Sequence, residues 1–159
     1  MAPASLRARL DQLPGLGELA AGTGGTVAGV PAGAVGLIAW WLRERTGRTV
    51  LVVAAESERV YADSLVWDGG AGAAIFPAGD TPPFDRVPPS EEVTRARLAT
   101  LMRLHAKAEP LVVVASPRGL LRPTLSRQVV EAGLTEVQRG ARLPRDQLLA
   151  RLVELGYRR

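Results

Sequence analysis

The chain has 159 residues and a formal net charge of +4, with 47% hydrophobic residues, no cysteine and one histidine, His105. That length fits one domain, or one domain and the start of another, and a mean hydropathy of +0.07 is that of a folded chain able to bury a core. The composition excludes disulfides, thiolate metal sites and a histidine-based metal cluster or catalytic triad, and no run approaches the 18 uninterrupted apolar residues of a membrane span.

The absence of cysteine fits a reducing cytoplasm, and the N-terminus (MAPASLRARLDQLP) lacks the apolar segment of a secretion signal. Its Leu6, Leu10 and Leu13 suit one face of a short amphipathic helix. Residues 26–30 (TVAGV) read as a strand and 34–46 as a helix stopped by Gly47. Residues 49–54 (TVLVVA) form a near-continuous apolar run, the mark of a strand covered on both faces. A helix over 57–67 carries Val60, Leu65 and Trp67, and a third strand follows at 73–77 (AAIFP). Residues 77–89 (PAGDTPPFDRVPP) hold five prolines in thirteen positions, a stiff non-helical connection.

The clearest helix spans 90–106. Ser90 can cap it, Glu91 and Glu92 favour its positive end, and Val93, Leu98, Leu101 and Leu104 keep helical spacing. Residues 111–115 (LVVVA) predict a fourth, buried strand, and Ser116–Pro117 is an N-cap and first-turn pair. Strands alternating with helices predict a doubly wound parallel α/β sheet with right-handed crossovers. Ligands of such folds sit beyond the carboxyl ends of the strands, where the 29–36 loop, the 55–57 turn and the Ser116 turn would gather. From Arg122 the pattern changes. Gly133, Gly140 and Pro144 cut the chain into short pieces, 134–137 reads as a strand, and 145–155 is an amphipathic helix closed by Gly156. This divides the chain into an α/β domain, 1–120, and the beginning of a small basic α+β domain, 121–159.

The stretch VAGVPAGAVGLIAWW, 27–41, has the setting of a phosphate-binding loop. A working loop reads G-x-x-x-x-G-K-[ST], with the lysine on the phosphates and the hydroxyl on magnesium. Counted from Gly29, with Gly33 inside the turn, those positions hold Ala34, Val35 and Gly36. Pro31 removes a further backbone donor, and Ser116 stands where a magnesium-holding aspartate would follow a later strand. The loop geometry is expected without the ATPase chemistry.

Asp63, Asp68, Asp80 and Asp85 read as solvated, turn-forming carboxylates, and His105 as a helix-end cation. Trp40 and Trp41 are adjacent and cannot share one helix face, so one is expected in the core and the other at its boundary. Arg43 and Arg45 lie close enough to suggest base stacking, but the core reading is the stronger. Residues 1–110 carry 11 basic and 12 acidic residues, whereas 111–159 carry 9 and 4. The basic surface is therefore local, with Arg139, Arg142, Arg145, Arg151, Arg158 and Arg159 at its centre. A solvated face, an acidic protein partner and a phosphate backbone all fit it. The scarcity of interleaved aromatics favours protein over nucleic acid.

Several stretches together resemble one family: GVPAGAVGLIAWWLRERTGRTVLVVAAESERVYADSL, FPAGDTPPFDRVPPSEEVTRARLATLMRL, VVVASPRGLLRP and RLPRDQLLARLVELGYRR. In that order they are similar to the N-terminal region of bacterial transcription-repair coupling factor, a module itself similar to the excision nuclease subunit UvrB. The most specific piece, DTPPFDRVPPSEEVTRARLATL, is similar to that family's D-T-L-P-Y-D…S-P…R-L-x-T-L block. The resemblance implies a RecA-like core akin to domain 1a of UvrB, with a vestigial phosphate loop at Gly29, Gly33, Ala34, Val35 and Gly36. It implies no cofactor in this stretch, because ATP and magnesium belong to a motor far downstream, as do the contacts with DNA and RNA polymerase. It implies recruitment of UvrA through an inserted domain beginning near 120–125, with Arg142, Arg145, Arg151, Tyr157, Arg158 and Arg159 as contact candidates. The strands that usually follow GYRR carry much of that contact surface in the family. It also implies packing against the rest of the parent protein that restrains the translocase. The alternative is a UvrB-type or helicase-like, nucleotide-dependent DNA-binding protein.

Overall fold

A computed structural model describes residues 4–82, 87–106, 108–135, 138–140, 142 and 144–157. The chain divides into two units, Met1–Pro123 and Thr124–Arg159. The first holds three short strands, β1 (Val50–Val53), β2 (Ala73–Phe76) and β3 (Val112–Ala115), in one parallel sheet of order β1-β3-β2. Val112 of the central strand pairs with Val50 on one side and Ala73 on the other. Parallel neighbours need long crossovers. These are supplied by α4 (Ser57–Asp68) between β1 and β2 and α5 (Glu91–Ala106) between β2 and β3.

The period of two along β3 sorts its side chains to opposite layers. Val112 and Val114 pack with Ala39 of α3 (Val35–Thr46) and Val60 of α4. Leu111, Val113 and Ala115 pack with Phe76 and with Leu101 of α5. Helices thus lie on both faces of the central strand, and the expected parallel α/β class is observed. Among the described residues no helix is long and apolar enough to cross a membrane.

Two strand expectations are corrected. Residues 26–30 form no strand. Gly29 takes a left-handed φ of 74°, which interrupts an extended run, and Val27 packs against helices rather than joining the sheet. The sheet therefore has three strands among the described residues. Strand β1 is also not covered on both faces. Val50 and Val52 pack toward α3 and α4, while Leu51 and Val53 remain 54% and 50% exposed.

The tryptophan expectation is corrected as well: both Trp40 and Trp41 are core, at 2% and 3% exposure. The cause is a pair of N-terminal helices, α1 (Ala4–Asp11) and α2 (Leu16–Ala21), whose Leu10 and Leu16 join the two tryptophans in one buried cluster. Trp41 Nε1 donates to the Asp11 carboxylate at 3.1 Å, and the Arg7 guanidinium lies 4.9 Å from the Trp40 ring centre. Leu6 and Leu10 pack as their spacing predicts, but Leu13 lies beyond α1 and is half exposed. Gly47 ends α3 in the left-handed conformation, as expected of a glycine stop.

Edge strand β2 is closed by side chains. Carbonyls at alternate positions point away from β3, and α5 meets them from residues three apart on one helix face. Thr100 Oγ1 donates to the Ile75 carbonyl at 2.7 Å, Arg97 to that of Pro77 at 2.9 Å, and Arg103 to that of Ala73 at 2.7 Å and to that of Ala71.

After α6 (Pro117–Leu120), the second unit contributes α7 (Arg127–Gly133) and α8 (Arg145–Glu154). Ser126 caps α7 through the Val129 amide at 3.3 Å, and Val130 is buried. Of the strand expected over 134–137, Leu134 and Thr135 are not in a strand, and 136–137 lie outside the described residues. The described part of this unit is helical. Its β component, expected from the pattern, is not among these residues.

Candidate functional site

The 29–36 loop leads into the start of α3, and the surroundings of its glycines differ. Pro31 is extended and leads into a 3-10 turn, Ala32–Ala34, from which α3 begins at Val35. A Cβ placed on Gly33 would meet nothing within 4 Å. A Cβ placed on Gly36 would come within 2.8 Å of the Ser64 amide nitrogen and 3.0 Å of Asp63 Cβ. The backbones of α3 and α4 therefore touch at Gly36. Asp63 adds a carboxylate there, and its Oδ2 is buried with no hydrogen-bond partner among the described residues.

The other two turns expected at the carboxyl edge do come together. Ala55, Ser57 and Glu58, which open α4, line a cleft of about 400 Å³ with Ala78 beyond β2 and with Ser116, Pro117 and Arg118 beyond β3. Ser116 caps α6 as predicted, its Oγ accepting from the Gly119 amide at 3.1 Å. The 29–36 loop contributes no residue to this cleft.

Behind the cleft, Arg97 spans two segments. It donates to the carbonyls of Pro77 and Gly119 at 2.9 and 3.1 Å and lies 4.0 Å from the centre of the Phe76 ring. Burial, with repulsion from Arg122 second, lowers its pKa from the ordinary arginine value. Arg122 in turn donates to the carbonyl of Thr81.

Asp68 is not solvated as expected, whereas Asp80 is exposed and holds a turn. Asp68 forms a buried ion pair with Arg43, their side chains 6% and 10% exposed, and accepts from the Gly72 amide. Asp80 accepts from the Ser90 amide at 3.2 Å, and hydrogen bonds from Ser90 hold it below the ordinary carboxylate range. Asp85 lies outside the described residues. His105 sits in the last turn of α5, as expected. Among the described residues no three His, Asp or Glu side chains are grouped to hold a metal.

In the second unit, Arg142, Arg145 and Tyr157 are exposed, Tyr157 at 66%. Arg151 is engaged: it donates to the Ala132 carbonyl at the end of α7 and to Glu154 at 3.0 Å. Arg158 and Arg159 lie outside the described residues. The contacts that sequence reading missed are the Arg43–Asp68 pair and the edge-sealing set on α5. Arg97, Thr100 and Arg103 did leave a signal, polar residues recurring every three positions along α5.

Fold and site together define a small parallel α/β domain in which α3 and α4 meet backbone to backbone at Gly36. No protein-family model matches the chain. It is similar to the transcription-repair-coupling factors of Mycobacterium bovis and Mycobacterium tuberculosis, each 35% identical over 120 residues, 72% of this chain and 9% of the relative. It is also similar to that of Myxococcus xanthus, 33% identical over 121 residues, 69% of this chain and 10% of the relative. The chain belongs to the transcription-repair-coupling factor family and spans about a tenth of the length of these relatives.

Proposed function

We propose that this chain is the non-catalytic N-terminal module of a cytoplasmic transcription-repair coupling factor. It docks the excision repair protein UvrA and packs against the rest of its parent protein to restrain the DNA translocase. The parent's contacts with DNA and RNA polymerase, and its ATP and magnesium, belong to other parts of that protein. The architecture is that of domain 1a of UvrB, a doubly wound RecA-like sheet with a vestigial phosphate loop at Gly29, Gly33, Ala34, Val35 and Gly36. Residues 121–159 begin the inserted docking domain, whose contacts include Arg142, Arg145, Arg151, Tyr157, Arg158 and Arg159.

The observation that carries the non-catalytic reading is the absence of room at Gly36, where a side chain would collide with the backbone of α4. The identity to three coupling factors supports the setting in transcription-coupled repair. Calorimetric titration of the chain with UvrA of the source organism, and separately with ATP and magnesium, tests both parts. Heat with UvrA and none with ATP is expected. Saturable ATP binding would overturn the reading in favour of a helicase-like nucleotide-dependent protein, and silence with UvrA would overturn the docking role.

A further inference from the structure

The cleft beyond β1 and β3 is open, and its lining is rich in donors. Helix α4 starts there without a capping side chain, because the Glu56 carboxylate turns away to pair with Arg59 at 3.2 Å. Its first-turn amides are therefore left for solvent or a ligand. Ser57 is 4% exposed and lines the cleft, yet its hydroxyl has no hydrogen-bond partner among the described residues. Its oxygen is not one of the fully buried unpartnered side-chain atoms, so the hydroxyl keeps contact with the cleft and is free to bond solvent or a ligand there. Ser116, 9% exposed, brings a second hydroxyl from the opposite wall, and its proton remains free to donate because its oxygen accepts from Gly119. Arg118 sits at the rim and forms no ion pair among the described residues. Glu58 is the one acidic residue in the lining, and it is exposed.

Hydroxyls, uncapped helix amides and a guanidinium are the donor set that recognises a phosphate. Parallel α/β sheets also bind ligands beyond the carboxyl ends of their strands. We propose that this cleft binds a phosphate group, carried either by a small molecule or by a nucleic-acid backbone, through Ser57, Ser116, Arg118 and the first-turn amides of α4. The site then lies at the strand–helix turn after β1, not at the 29–36 loop that precedes α3. This goes beyond the docking role proposed above and does not depend on it.

The test is an amide-resolved NMR titration of the isotope-labelled 159-residue chain. The probes are inorganic phosphate and, separately, a short oligodeoxythymidylate at low and high salt. Saturable shifts at the amides of residues 57–59 are expected. Arg118→Gln should weaken binding roughly tenfold, as loss of one charge-assisted hydrogen bond does. Ser57→Ala should weaken it several-fold, with unchanged circular dichroism in both variants. A matching response to the oligonucleotide that fades with salt would identify a backbone phosphate as the ligand. A response to inorganic phosphate alone would identify a small anion. No saturable response at residues 57–59 to either probe would overturn the proposal. So would binding that neither substitution weakens, and because Arg118 is exposed its variant keeps the test open even if Ser57→Ala misfolds.

Discussion

Gly36 and Gly33 lie three residues apart in the same loop, and their surroundings differ. A methyl at 36 meets the α4 backbone, which cannot rotate away as a side chain can, whereas a methyl at 33 meets open space. Gly36→Ala should therefore cost about 1–3 kcal/mol of stability, the usual range for overpacking, while Gly33→Ala should stay within about 0.5 kcal/mol. Urea unfolding of the two variants measures the difference, and equal midpoints would contradict the close approach. The ionisable residues give a second prediction. Hydrogen bonding from Arg43, with the Arg43 charge adding and burial opposing, holds Glu44 below the ordinary carboxylate value, and Arg7 also contacts it at 2.6 Å. A carboxylate depressed on folding contributes stability above its unfolded pKa of about 4.3, and that contribution is lost as pH falls through the folded value. Glu44→Gln should flatten this acid limb and leave the slope near neutral pH unchanged, as melting temperature against pH would record.

At the scale of elements, α5 serves as cover for one face of the sheet and as closure for one of its edges. Thr100 is 3% exposed and its hydroxyl is donated to the Ile75 carbonyl. Thr100→Val keeps the shape, removes the donor and leaves the carbonyl buried without that partner, at a cost of about 1–3 kcal/mol. Equilibrium unfolding would show this, and Thr94→Val, on an exposed part of the same helix, should change stability by less than about 0.5 kcal/mol. Much of this architecture was legible in advance, for physical reasons. Runs such as LVVVA and the spacing of residues 90–106 report local geometry, which is why β3, α5 and the Ser116 cap fall where the sequence places them. Residues 26–30 misled because a propensity for extended structure cannot reveal whether a neighbouring strand exists to pair with. The tryptophans misled in the opposite sense, because helix periodicity assumes one buried face, and α1 with α2 provides a second. Trp40→Ala and Trp41→Ala should each cost about 3–5 kcal/mol, where a boundary residue would cost far less. The cleft, too, was legible only as three turns sharing one edge. That Gly36 is walled in while Ser57 is not depends on how closely two helices approach, and no local pattern encodes that distance.

For the molecule as a whole, the uneven charge is the feature that sequence states most directly and that bears most on the proposed docking role. The described part of Thr124–Arg159 buries Val130 and leaves Val129, Val153 and Tyr157 more than half exposed, so its surface is apolar as well as basic. Exposed cations and apolar residues in one unit suit an acidic protein surface, where charge sets association rate and salt dependence more than the final affinity. The arginines here are not equivalent. Arg142 and Arg145 are exposed, whereas Arg151 holds the carbonyl of Ala132 and ties α8 to the end of α7. Reversing Arg142 and Arg145 together to glutamate should leave helix content and melting unchanged, yet slow association with UvrA and weaken its dependence on salt. Arg151→Glu should instead lose helix content along with any binding. Stopped-flow association at several ionic strengths, read beside circular dichroism, separates the two cases. If Arg142→Glu/Arg145→Glu binds UvrA at the original rate, the basic edge of this unit is a solvated face and the contact lies elsewhere. If it loses helix content instead, these arginines are structural and cannot be assigned to a partner.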